Sequence, residues 1–84
     1  MPRPFFPHTL SDVIRNVDGA LGLVVADMPD QSIWLLKRDR RRGSYTLTHY
    51  TDMSRKQQLS RTPYEERTVA INAMAAAIGL HERL

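Results

Sequence analysis

Two segments rich in aromatic and β-branched residues, 32–38 (SIWLLKR) and Ser44–Tyr50 (SYTLTHY), flank an arginine-rich stretch that ends in Gly43. Such residues suit a pleated, half-buried surface, and a short glycine-terminated connection between two of them predicts an antiparallel hairpin. The hairpin constrains everything else in the chain. A two-stranded ribbon is at best marginally stable in water, so further strands or helices must cover it. In the second strand, alternation places Tyr45, Leu47 and His49 on one face and Ser44, Thr46, Thr48 and Tyr50 on the other. One side of the sheet is therefore expected to be covered and the other wet.

The flanking sequence offers the cover. Residues 20–27 (ALGLVVAD) are a short apolar run before the turn signal Met28-Pro29-Asp30-Gln31, and they read as a third strand. Upstream, Thr9 and Asp12 have capping-box spacing, with Asp in place of Glu, and Leu10, Val13, Ile14 and Val17 recur along one helical stripe. Asp18-Gly19 is expected to end this helix, with glycine as a left-handed C-cap. Downstream, Thr62 reads as an N-cap, Pro63 as the first helical residue and Glu65 as the third, opening a helix to about Ile78 that Gly79 closes and Leu80 folds back upon. Over 51–61 the pattern is weak and fits an edge strand or a mobile loop, with the loop preferred. The first eight residues contain three prolines and read as an extended arm pinned by Phe5 and Phe6. The expectation is a single small α+β domain over residues 1–84, in the order α-β-β-β-α, with a three-stranded antiparallel meander and both helices on one face.

Charge is unevenly spread. Residues 37–61 hold eight of the twelve Lys and Arg residues against Asp39 and Asp52, a local charge of +6, while the remainder is at −3. Lys37, Arg38, Arg40, Arg41 and Arg42 crowd the hairpin tip and repel one another unless an anion lies nearby. The planar fork of arginine suits bidentate contact with phosphate, so this tip, extended by Arg55, Lys56 and Arg61, is the candidate polyanion site, with nucleic acid as its candidate partner. Trp34, Tyr45 and Tyr50 offer stacking faces if they lie on the open side of the sheet, although such aromatics more often belong to the core. The competing readings are a solvated loop that keeps a small protein soluble, or a basic face that docks on an acidic protein surface.

The C-terminal helix directs Tyr64, Arg67, Ile71, Met74, Ala75 and Ile78 toward the sheet, yet its other side, with Val69, Ala70, Ala73, Ala76 and Ala77, is also apolar. A helix apolar all round needs cover all round. Either the first helix supplies it, or a second copy does so across a two-fold axis, and a homodimer is the expectation.

Catalytic chemistry is not expected. There is no cysteine, and His8, His49 and His81 are dispersed, with no partner at helical metal-ligand spacing. No nucleophile elbow or phosphate-cradling glycine loop is present. The chain calls for no metal or cofactor, and the lack of cysteines and of an apolar leader or span makes the cytoplasm the default compartment. The expected function is a non-enzymatic binding or regulatory protein that contacts a polyanion. The alternative is a protein-interaction module or inhibitor that docks through the basic face or the Ala-rich helix.

Overall fold

Helix α1 (Leu10–Val17) starts where its capping signal predicts, with the Thr9 side chain accepting from the Asp12 amide and the Asp12 carboxylate accepting from the amides of Thr9 and His8. The computed structural model describes residues 7–84, so of the arm expected over 1–8 only Pro7, which is buried, and His8 are placed, and Phe5 and Phe6 lie outside the described residues. The glycine cap is not where the sequence suggests. Asp18 is the C-cap in right-handed geometry, and the left-handed residue is Gly22, at φ 61°. Gly19 serves close packing instead, since a Cβ there would stand 3.2 Å from the carbonyl oxygen of Arg15.

Four strands follow, β1 (Leu23–Asp27), β2 (Ile33–Asp39), β3 (Ser44–Tyr50) and β4 (Gln58–Tyr64), then α2 (Arg67–Ala77). They form one antiparallel meander in chain order. The expected three strands are thus four, and the stretch preferred as a loop over 51–61 is a loop over 51–57 and belongs to β4 from Gln58. β4 escapes a reading by hydrophobic pattern because Gln58–Pro63 are exposed on both faces, so no buried side chain marks its alternation. The helix start at Thr62-Pro63 is likewise corrected: Pro63 lies in β4, opposite Thr46, and α2 begins at Arg67 with Glu66 as N-cap.

The hydrogen-bond alternation explains why proline is tolerated there. The Arg38 amide donates to the Gly22 carbonyl and the Met28 amide to the Ser32 carbonyl, so even-numbered residues of β1 exchange hydrogen bonds with β2. Carried across β2 and β3, this phase makes Tyr45, Leu47 and His49 the bonded partners of β4 and leaves Thr46–Pro63 a non-bonded pair. The nitrogen of Pro63 points to the outer edge, where no N–H is required.

Both helices cover one sheet face, where Val24, Leu36 and Leu47 meet Val13, Ile71 and Met74, and α1 packs on α2. That packing answers much of the need for cover on α2. Ala70 is wholly buried and Ala73 and Ala77 pack against the core inside the protomer, which leaves Val69 and Ala76 exposed. Gly79, at φ 83°, closes α2, and the Leu80 amide returns to the Ala75 carbonyl, the cap expected from the sequence.

The two helices are also tied by charge. Asp18 sits at the negative end of α1 and Arg67 at the positive end of α2, each unfavourable for its own helix dipole, and a two-pronged pair between them (3.1 and 2.5 Å) offsets both. The hydrogen-bonded Arg67 guanidinium holds the Asp18 carboxyl below its ordinary value of 3.8. Serine hydroxyls do the same for Asp30 and Asp52, and the His8 amide for Asp12. Because these values fall on folding, the associated stability is complete only well above the ordinary value of 3.8, by about pH 5, and is lost as pH drops through the lowered values. Thermal unfolding between pH 6 and pH 2 is expected to show its midpoint falling only below about pH 5. Asp18→Asn should lose less than about 1 kcal/mol at pH 7, since the pair is well solvated, and should flatten the acid limb.

At the β1–β2 turn, Gln31 adopts φ 74°, a left-handed conformation in which a Cβ is strained. The turn around it is closed by the Met28–Ser32 bond and by the Asp30 carboxylate, which accepts from the Ser32 amide at 3.0 Å. Gln31→Gly relieves the strain at some cost in unfolded-state entropy, so a net gain of about 0.5–1 kcal/mol is expected in urea unfolding.

Candidate polyanion interface

The tip of the β2–β3 hairpin is a built turn rather than a loose loop. Asp39 Oδ1 accepts the amides of Arg41 (3.0 Å) and Arg42 (3.3 Å), and Gly43, at φ 66°, donates to the Asp39 carbonyl at 2.8 Å. The five cations of this region separate into two groups. Arg38 donates to the Gly19 carbonyl at 3.0 Å and Arg40 to the Ala20 carbonyl. Both carbonyls follow the C-terminus of α1, where the helix dipole is negative. These two guanidiniums clamp the hairpin to the α1–β1 connection, and part of the expected repulsion is relieved in this way. The Arg38 Nε is buried with no hydrogen-bond partner among the described residues.

Lys37, Arg41 and Arg42 remain exposed, without an ion pair among the described residues. Lys37 and Arg41 border a depression of about 510 Å³ on the sheet face away from the helices, together with Arg61 of β4. Leu35, Thr46, Thr48 and Tyr50 line it as well, and the register places Thr46 beside Lys37 and Thr48 between Leu35 and Arg61. Lys37 of β2 and Arg61 of β4 thus flank the half-buried Thr46 and the buried Thr48 on the strand between them. Arg42 stands apart, in a second hollow with Ser44, Tyr64 and Glu65. Arg55 lies beside Leu23, Val25 and Met53, and Lys56 is exposed in the β3–β4 connection. The structure therefore gathers Lys37, Arg41 and Arg61 with Arg38 and Arg40 at one rim, and does not bring Arg42, Arg55 or Lys56 to it.

Of the three candidate stacking aromatics, only Tyr50 lies on this open face. Tyr45 is buried under the helices, and Trp34 stacks on His49 with ring centroids 3.9 Å apart and planes within 7°. His49 is half-buried as its alternation implies and is held by this stacking, and its Nε2 has no hydrogen-bond partner among the described residues. Among the described residues there is no group of three His, Asp or Glu placed to hold a metal ion, and no helix long and apolar enough to cross a membrane.

Thr46, Thr48 and Leu35 are lining residues that charge counting does not find. The period-2 alternation of β3 is the signal that identifies the two threonines, since it puts them on the face opposite Tyr45 and Leu47. The place of Arg61 depends on β4, which leaves no such signal. No protein-family model, curated protein or solved structure matches this chain.

Proposed function

We propose that the protein is a non-enzymatic binding protein that takes a polyanion, nucleic acid by preference, on the open face of its sheet. The observation that carries this reading is the set Lys37, Arg41 and Arg61, three cations without an ion pair among the described residues that border one depression lined by Thr46 and Thr48. Phosphates suit the cations and the half-buried Thr46 hydroxyl, contacts that fix position without reading sequence, and Tyr50 offers a ring to an unpaired base. The hairpin tip is a positioning element here, since Arg38 and Arg40 are engaged in holding it.

Titration of labelled single- and double-stranded oligonucleotides, followed by anisotropy from low to physiological salt, tests the reading. Binding that weakens steeply as salt rises is the expected result. Lack of binding to either at low ionic strength overturns it, and capture of an acidic protein in place of nucleic acid would identify the basic face as a protein-docking module.

A further inference from the structure

The two edges of the sheet are chemically unlike. On β4 the outward backbone groups belong to Arg61 and Pro63, and a charge and a missing N–H both oppose pairing with another strand. On β1 the outward N–H and C=O groups are those of Leu23, Val25 and Asp27, given the phase set by the Gly22–Arg38 and Met28–Ser32 bonds. No described residue bonds them, since β1 ends the sheet. The strand has no proline and no cation. Leu23 and Val25 are only half-buried, and on the open face they border an apolar hollow of about 210 Å³ with Ile33, Leu35, Met53 and Arg55.

From this asymmetry we propose that β1 is the interface for a second copy of this chain, the two β1 strands pairing antiparallel about a two-fold axis at Val25. The register is self-complementary. Val25 meets its own mate, and Leu23 meets the partner subunit's Asp27, so the outward groups at all three positions find complements. Charge agrees with the same register. Asp27 has no ion pair among the described residues, and the pairing sets the partner subunit's Asp27 next to Leu23, which lies beside Arg55 and opposite Lys37. A single strand thus offers an apolar centre and, at its end, a carboxylate for the cations Arg55 and Lys37 of the facing copy, which favours a second copy over an unrelated strand. The interface adjoins the depression around Lys37, Arg41 and Arg61 and shares Leu35 with it, but its test reads oligomeric mass and does not depend on that reading.

Light scattering combined with sedimentation decides the matter. The wild-type chain of 9.7 kDa is expected at twice its mass at high micromolar concentration, with the amides of Leu23, Val25 and Asp27 exchanging slowly. Val25→Lys sets two like charges across the axis from a half-exposed position and should give the single-chain mass with an unchanged circular dichroism spectrum. Asp27→Arg should weaken association about tenfold, and Asp27→Arg with Arg55→Asp should restore it. A wild-type monomer up to millimolar concentration overturns the proposal. A dimer that survives Val25→Lys but is split by Ala76→Glu also overturns it, and assigns the contact to α2. Should Val25→Lys fail to fold, exchange in the wild type decides: protection of the three amides that vanishes on dilution supports the proposal, and fast exchange at every concentration refutes it.

Discussion

Leu36→Ala is expected to destabilise the protein by about 3 kcal/mol and to lower its thermal midpoint by on the order of 15 °C. Leu36 is fully buried at the centre of the sheet, between Val24 and Leu47 and beneath α2. Truncation removes the transfer energy of the lost methyls and leaves a cavity that flanking strands and helices cannot collapse to fill. Leu35 is the informative control. It is nearly as buried, at 6% exposure, but it faces the open side, outside the main core, beside the half-exposed Val25 and the exposed Met53. Leu35→Ala should therefore cost clearly less, and equal losses for the two variants in urea unfolding would contradict the one-sided core.

Serine replacement of Lys37, Arg41 and Arg61 together is expected to reduce the slope of log affinity against log salt by on the order of 2–3 for duplex, and to weaken binding at low salt roughly 10- to 100-fold. All three side chains are exposed, so the variant should keep its unfolding midpoint. Arg42→Ser, outside the depression, should leave the slope almost unchanged. Arg38→Ser should act differently, since it removes the clamp on the Gly19 carbonyl and the cost falls on stability. A slope that responds to Arg42, Arg55 and Lys56 instead would place the polyanion at the tip and the β3–β4 connection, as charge counting alone suggests.

Much of the architecture is legible in the chain because its signals are local. The Thr9–Asp12 capping box, the Gly79 cap, the Met28–Gln31 turn and the alternation of Ser44–Tyr50 each act within a few residues and appear where the sequence places them. The candidate site is legible only in part. Lys37 and Arg41 follow from charge, and the open face of β3 from alternation, but nothing local tells which arginines of the tip are free. That is settled by whether the α1–β1 connection brings carbonyls within reach, as it does for Arg38 and Arg40.

The sequence by itself determined the helix α1, the central hairpin and the one-sided character of β3, because caps, turns and side-chain periodicity are properties of short segments. Only the tertiary structure decided β4 and the start of α2. Proline is favoured at the first position of a helix and on the outer edge of a sheet for one reason, that neither place needs its N–H. Thr62-Pro63 therefore carries no information to separate the two, and pairing with β3 across the intervening connection made the choice. The same holds for Leu35 and Leu36, alike as residues and adjacent in the chain. A step of one residue along a strand turns a side chain to the opposite face, and the helices packed on one face alone placed Leu36 in the core and Leu35 on the other face of the sheet.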